Sequence, residues 1–121
     1  MRCRILVVDD SRTVRRIVRR ALAGRSCEIL EAVNGAEGLD LAARVQPDLI
    51  LLDCTMPVMA GPEMLARLQA DPRLRAVPLL LLTPAAGSGG QLPGEIMAAC
   101  LEKPFTAAAL GEAVGRLLRL A

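Results

Sequence analysis

Short aliphatic runs alternate along the chain with stretches in which apolar residues recur at helical spacing. The runs at residues 5–8 and 49–52 are continuously apolar, and each is followed by aspartate. Continuous apolar runs of this length, bounded by turn-forming residues, indicate strands that are buried on both faces. Such strands are typical of the centre of a parallel sheet that is covered by helices on both sides.

The same pattern predicts the remaining elements. Three more strands are expected, at residues 27–32, 77–82 and 100–102. Helices are expected from Ser11 to Gly24, over 36–45, over 61–70, and from Thr106 to the C terminus, with Ser11 and Thr106 as caps. The alternation predicts parallel βαβ units joined by right-handed crossovers. At 121 residues the chain is expected to form one domain, residues 1–121.

Residues 84–94 interrupt this alternation, because six of them are proline or glycine. Any helix in this region is therefore expected to be confined to about residues 94–99. The sequence Gly87-Ser88-Gly89-Gly90 is too loose a match to a nucleotide-binding fingerprint, in which G-x-G-x-x-G must follow a strand and open a helix. We interpret the segment as a loop.

The composition excludes several classes of protein. No apolar stretch approaches the roughly 18 residues that a membrane span requires, and the N terminus lacks the pattern of a secretory signal. A cytoplasmic protein is therefore expected. The chain has four cysteines but no histidine and no C-x-x-C pair, which argues against structural zinc and against a disulfide framework. Thiols in or beside the predicted strands are expected to be buried.

The charge is unevenly distributed. The net charge is +2, yet residues 1–25 contain eight arginines and two aspartates. Five of these arginines fill the polar face of the first predicted helix, namely Arg12, Arg15, Arg16, Arg19 and Arg20. Nucleic-acid binding is disfavoured, because the chain lacks interleaved aromatic residues and any recognisable nucleic-acid module. The face is either an ordinary solvated surface or a docking surface for an acidic partner.

Polar side chains stand at the carboxyl ends of four predicted strands, where ligands bind in open α/β sheets. They are Asp9, Asp10, Asp53, Thr83 and Lys103. Taken singly, each has an ordinary explanation, such as a turn cap or a solvated charge. Three carboxylates at one edge repel one another, however, and a hard divalent cation relieves that conflict. The cluster therefore predicts a Mg²⁺ site that can also accept phosphoryl oxygens.

Lys103 is the single lysine of the chain, beside fourteen arginines. A compact ammonium group at a strand end can pair with Asp53 and then with a phosphoryl oxygen. Thr83 offers a hydroxyl donor to the same oxygen. Chance placement, or a solvated surface charge, is the competing explanation for Lys103.

Together these residues resemble a known family. The matching residues are Asp9-Asp10-Ser11, Asp53 with Met56-Pro57 and Gly61, Thr83, and Lys103-Pro104-Phe105. They resemble the receiver domain of bacterial response regulators, and residues 9–18 look most like the stand-alone, chemotaxis-type receivers. The resemblance covers the whole chain, although a fragment of a larger regulator would look the same. It implies a flavodoxin-like α/β fold, with a doubly wound five-stranded parallel sheet of order 2-1-3-4-5 and a short or degenerate fourth helix.

The resemblance also implies a function. Asp53 would be the phosphoacceptor. Asp9, Asp10, Asp53 and the backbone carbonyl of Thr55 would bind Mg²⁺, while Thr83 and Lys103 would contact the phosphoryl group. The Lys103–Pro104 bond would be cis.

The implied partners follow from the same family. The protein would catalyse its own aspartyl phosphorylation and dephosphorylation within a two-component phosphorelay. A sensor histidine kinase or a histidine phosphotransfer protein would be the donor, and phosphorylation would control binding to an output protein that the sequence does not identify. Neither nucleic acid nor a membrane is expected as a direct partner.

Two residues depart from the family pattern. Cys100 stands where relatives have tyrosine or phenylalanine. Pro84, which has no N–H, stands where relatives use a backbone N–H to bind the phosphoryl group. These departures leave an alternative open, a receiver-fold module that binds its partner without phosphate. A metal-dependent hydrolase is a more distant alternative, because no acid–base pair beyond the receiver residues is visible.

Overall fold

A computed structural model of the protein describes residues 3–54, 61–83 and 98–120, which contain five strands and four helices. The strands are β1 (Cys3–Val8), β2 (Cys27–Ala32), β3 (Leu49–Asp53), β4 (Leu79–Thr83) and β5 (Ala98–Glu102). The helices are α1 (Arg12–Ala21), α2 (Gly35–Val45), α3 (Gly61–Ala70) and α4 (Ala107–Leu120). No helix in these parts of the chain is long and apolar enough to cross a membrane.

The strands form one parallel sheet in the order β2-β1-β3-β4-β5. This order confirms the predicted flavodoxin-like fold. The register aligns Val8 of β1 with Leu52 of β3, and Asp53 with Leu82 of β4. The carboxyl ends of three central strands therefore meet at one edge of the sheet.

Alternate residues of the central strands face opposite sides of the sheet. One side packs against α2 and α3, and its buried residues include Leu6, Val8, Ile50, Leu52, Met64 and Leu68. The other side packs against α1 and α4, and its buried residues include Ile5, Val7, Leu49, Leu51, Val18 and Val114. Because helices cover both faces, β3 is buried along its whole length, as its continuous apolar sequence predicts.

Side-chain oxygens cap three of the helices. Ser11 Oγ accepts from the Val14 N–H at 3.2 Å, and Thr106 Oγ1 accepts from the Ala109 N–H at 3.0 Å, so both predicted caps are present. Asn34 Oδ1 accepts from the Glu37 N–H at 2.8 Å and caps α2. These bonds satisfy N–H groups that a helix cannot satisfy internally.

The boundaries of the last two strands differ from those predicted. Strand β4 begins at Leu79 and not at residue 77, because the Val77 N–H donates to the Leu74 carbonyl in the preceding turn. Strand β5 begins at Ala98, two residues early, where it pairs with Leu79. The helix predicted at about 94–99 falls largely outside the described residues, and residues 98 and 99 belong to β5.

The thiols are less buried than predicted. Cys3, Cys27 and Cys54 are partly buried, and Cys100 is exposed. Cys100 lies on β5, which is an edge strand of the sheet in the part of the chain that the structure describes.

Candidate functional site

Three carboxylates converge at the carboxyl edge of the sheet. Asp9 and Asp10 directly follow β1, and Asp53 is the last residue of the neighbouring strand β3. One carboxylate oxygen from each of the three lies within 4.8 Å of the others. Asp9 is 0% exposed and Asp53 is 2% exposed, whereas Asp10 is exposed to solvent. Because β1 and β3 are neighbours, Asp10 and Asp53 come together although they are 43 positions apart in the sequence (53 minus 10).

Lys103 joins this cluster from the end of β5. Its Nζ lies 3.1 Å from Asp9 Oδ2 and 3.4 Å from Asp53 Oδ1. The Lys103 N–H donates to the Thr83 carbonyl at 2.7 Å, which fixes the start of the loop against β4. The Lys103–Pro104 peptide bond is cis. The lysine therefore bridges two buried carboxylates and is not a solvated surface charge.

The electrostatics of the cluster favour a cation. Burial raises the pKa of Asp9, and the Asp53 charge adds to that rise, while the Ser11 N–H and Lys103 oppose it. Burial alone would lower the pKa of Lys103, but its hydrogen bond to Asp9 and the charges of Asp9 and Asp53 outweigh burial and raise it. Lys103 is therefore protonated at neutral pH. Among the residues that the structure describes, one ammonium group lies beside three carboxylates, so acidic groups are in excess at this edge.

Thr83 lies at the same edge, as the last residue of β4, and is 9% exposed. The register aligns Asp53 with Leu82, so Thr83 stands one residue beyond the level of Asp53 on the neighbouring strand. The structure thus brings Asp9, Asp10, Asp53 and Lys103 together and sets Thr83 beside them. Thr55 and Pro84 lie outside the described residues.

Cys54 follows Asp53 but is not a competing nucleophile. Burial and the charge of Asp53 raise the pKa of the Cys54 thiol to about 11. The thiolate is the reactive form of cysteine, and it is scarce at neutral pH when the pKa is this high. The Cys54 thiol therefore adds no reactive thiolate beside the three carboxylates at neutral pH.

Arg15 and Glu31 support the site, and the sequence interpretation missed them. Arg15 Nη1 donates to the Asp9 backbone carbonyl at 2.7 Å, and Arg15 Nε donates to Glu31 Oε1 at 2.8 Å. Glu31 also accepts from Arg19. Burial opposes the charge of Glu31, but the hydrogen bonds from Arg19 and Arg15 outweigh it and lower the pKa of Glu31. The signal in the sequence was the four-residue spacing of Arg15 and Arg19, which puts both on one helix face.

The basic face of α1 is thereby divided in two. The Arg15 side chain is 13% exposed and points inward, toward β1 and β2. Arg12, Arg16, Arg19 and Arg20 are exposed. Arg16 and Arg20 line a groove of about 340 Å³ together with Thr13, Ile17 and Ala107, at the junction of α1 and α4.

Comparison with known proteins supports the family resemblance that the sequence motifs indicate. Residues 5–115 match the family model described as the response regulator receiver domain. The chain is 32% identical over 118 residues to chemotaxis protein CheY1 of Helicobacter pylori strain J99, covering 90% of this chain and 91% of that protein. It is 39% identical over 94 residues to response regulator PleD of Caulobacter vibrioides, covering 78% of this chain but 21% of PleD.

Solved structures agree with these relatives. The chemotaxis response regulator CheY4 of Vibrio cholerae superposes with a TM-score of 0.86 at 28% identity, covering 97% of this chain and 99% of that chain. The chain thus spans nearly the full length of the chemotaxis proteins, and about a fifth of the longer regulator PleD.

Proposed function

The chain belongs to the response regulator receiver family, and we propose on that basis that it takes up a phosphoryl group on Asp53 in a Mg²⁺-dependent reaction. Residues 1–121 would act as one receiver domain. The observation that supports this proposal best is the position of Lys103 Nζ between Asp9 and Asp53, at 3.1 and 3.4 Å. A lysine held between two buried carboxylates is placed to exchange its ion pair with a carboxylate for one with a new phosphoryl oxygen.

The proposed metal ligands are Asp9, Asp10, Asp53 and the backbone carbonyl of Thr55. The first three fit Mg²⁺, because hard carboxylate oxygens converge within 4.8 Å and one of the residues, Asp10, is open to solvent. Bound Mg²⁺ would neutralise charge on the carboxylates and on the incoming phosphoryl oxygens.

The side chains then have distinct roles. A carboxylate oxygen of Asp53 forms a bond to phosphorus while the bond from phosphorus to the leaving group of the donor breaks. Lys103 shifts its ammonium group from Asp53 to a phosphoryl oxygen, and the Thr83 hydroxyl donates to another. Lys103 and the Ser11 N–H orient the carboxylate of Asp9, which is one of the proposed metal ligands. Attack of water on phosphorus breaks the bond from phosphorus to the Asp53 oxygen, releases inorganic phosphate and restores the carboxylate.

The phosphodonor would be a sensor histidine kinase or a histidine phosphotransfer protein. Transfer from such a partner requires docking over the Asp53 edge, which α1 borders. The exposed arginines of α1 offer an attractive surface for an acidic donor. Phosphorylation would in turn control binding to an output protein.

The test uses Mg²⁺ and a small phosphodonor such as acetyl phosphate, followed by intact mass measurement. The wild-type protein should gain one phosphoryl group, and Asp53→Asn should gain none. Asp40→Asn, which removes an exposed carboxylate on α2, is the matched control and should label normally. Labelling of Asp53→Asn, or no labelling of the wild type, would refute the assignment.

One observation favours a second function. Cys100 is exposed on β5 where relatives have an aromatic residue, so the chain lacks a large side chain there that could move on phosphorylation. The second candidate is a module that binds its partner regardless of phosphate. Equal partner binding by phosphorylated wild type and by Asp53→Asn would identify this function.

A further inference from the structure

Two cysteines face each other at the amino edge of the sheet, opposite the Asp53 site. Cys3 is the first residue of β1, Cys27 is the first residue of β2, and the register pairs them directly. Paired residues of neighbouring parallel strands project to the same side of the sheet. Both thiols accordingly pack against the same apolar cluster, beside α1 and α4.

The spacing suits a covalent link. Neighbouring strands lie about 4.8 Å apart, and disulfides join residues whose Cα atoms are about 4.4–6.8 Å apart. Both thiols are free, and the Cys27 thiol lies near enough to raise the pKa of Cys3. Each is only partly buried, so a small reagent can reach the pair.

We propose that Cys3 and Cys27 form a dithiol modification site that a low-molecular-weight disulfide converts to an intramolecular disulfide. One cysteine thiolate attacks a sulfur of the reagent and releases one reagent thiol. The second thiolate attacks the resulting mixed disulfide at the protein sulfur and releases the other reagent thiol. The two cysteines lose two electrons and two protons, and the reagent is reduced to two thiols.

The surroundings of the pair set its reactivity. Burial, the Cys27 thiol and the Asp48 carboxylate raise the pKa of Cys3 to about 12, while Arg25 opposes the rise. In either order of attack, Cys3 acts once as the nucleophile, so its thiolate is required. Closure is therefore slow at neutral pH and faster in alkali.

Closure would tie the edge strand β2 to β1 and enclose α1 in the loop between residues 3 and 27. A crosslink of this kind restricts the unfolded chain and raises the unfolding temperature. The site does not depend on phosphorylation of Asp53, which lies at the other end of the sheet.

The test uses the double variant Cys54→Ser/Cys100→Ser, which keeps only the pair, with glutathione disulfide as the oxidant in mildly alkaline buffer. Intact mass should show the loss of two hydrogens with no glutathione retained, and dithiothreitol should reverse it. Proteolysis of the oxidised protein should yield a linked peptide that contains Cys3 and Cys27. The unfolding midpoint should rise by several degrees.

The matched control is Cys3→Ser/Cys27→Ser, which keeps the other two cysteines. Cys54 and Cys100 lie on either side of β4, roughly two strand spacings apart, so they should not close. The proposal is overturned if the Cys3–Cys27 protein retains glutathione on one or both thiols without closing. It is also overturned if the folded protein does not react while the same chain in denaturant does.

Discussion

Arg15 Nη1 donates to the backbone carbonyl of Asp9 at 2.7 Å, from a guanidinium group whose Nε is held at 2.8 Å by Glu31. This contact links helix α1 to the loop that carries two of the three clustered carboxylates. The Asp9 N–H donates in turn to the Ala32 carbonyl at 3.1 Å, so β2 and α1 both hold this loop. A side chain that appears in the sequence as one of five surface arginines is therefore a positioning residue.

Arg15→Gln is expected to weaken Mg²⁺ binding and small-donor phosphorylation by roughly tenfold, since loss of a residue that orients a ligand typically costs about 10–100-fold. Arg19→Gln is the matched control, because Arg19 shares Glu31 but does not contact Asp9. Both effects are measured by Mg²⁺ titration and labelling rate at a temperature where the variants are folded. If Arg19→Gln lost as much Mg²⁺ affinity and labelling rate as Arg15→Gln, then Arg15 and Arg19 would support only the fold.

Mg²⁺ is expected to stabilise the folded protein, because it binds the assembled carboxylates and not the unfolded chain. At ten times the dissociation constant the gain is about 1.4 kcal/mol. Thermal melts with and without millimolar Mg²⁺ measure it. Asp10→Asn should remove most of the shift, whereas Asp40→Asn should keep it. A shift of equal size in wild type and Asp10→Asn would show that the metal binds elsewhere.

The exposed arginines of α1 are expected to guide the phosphodonor protein. The triple variant Arg12→Gln/Arg16→Gln/Arg20→Gln should slow transfer from a cognate donor, more so at low salt, and should leave labelling by acetyl phosphate unchanged. Arg15 is left out because it is turned inward. The rates of transfer from the donor protein and of labelling by acetyl phosphate are both measured from the amount of phosphorylated protein that appears with time.

The matched control for this surface is Arg44→Gln/Arg67→Gln, which removes exposed arginines from α2 and α3. It should transfer at the wild-type rate. If the arginine face is only a solvated surface, neither variant should change the rate of transfer from the donor protein. A fall in labelling by acetyl phosphate would indicate damage to the Asp53 site.

Gly38 is expected to resist replacement, because α2 lies close to β1 at this position. A Cβ atom here would lie 2.9 Å from Val8 Cγ2 and 3.1 Å from Met64 Cε. Gly38→Ala should therefore lower the free energy of unfolding by about 1–3 kcal/mol. Gly111→Ala in α4, where nothing lies within 4 Å of the new atom, should raise it by about 0.4–1 kcal/mol. Urea unfolding compares the two, and destabilisation of similar size in both would contradict the steric argument.

The ion pairs of Glu31 are expected to make stability depend on pH in acid. Glu31 has a folded-state pKa below its ordinary value of 4.5, because hydrogen bonds from Arg19 and Arg15 outweigh its burial. The contribution of ionised Glu31 to the free energy of unfolding is therefore fully present above pH 4.5, and it is lost as the pH falls through the folded-state pKa. Glu31→Gln should cost roughly 1 kcal/mol near neutral pH, and the cost should shrink in acid. Urea unfolding of both proteins at a series of pH values checks this, and a cost that is constant with pH would be contrary to it.

The layers of the fold, and the grouping of several polar residues at one edge of the sheet, follow from the sequence alone. The continuous apolar runs at residues 5–8 and 49–52, with turn-forming residues on either side, indicate strands that are covered on both faces. Asp9, Asp53 and Lys103 could be grouped by their positions in the chain, because the carboxyl ends of parallel strands share an edge. Local periodicity does not set the strand boundaries, since the pairing of Leu79 with Ala98 decides where β4 and β5 begin.

Which groups touch is a matter of tertiary packing. Periodicity shows which face of an element is buried, but it does not show which element lies beside that face. The contact from Arg15 to Asp9 requires Glu31 on β2 to stand next to α1, and the pairing of Cys3 with Cys27 requires β1 and β2 to be neighbours in register. Both depend on strand order, which is settled by packing between residues that are distant in the chain.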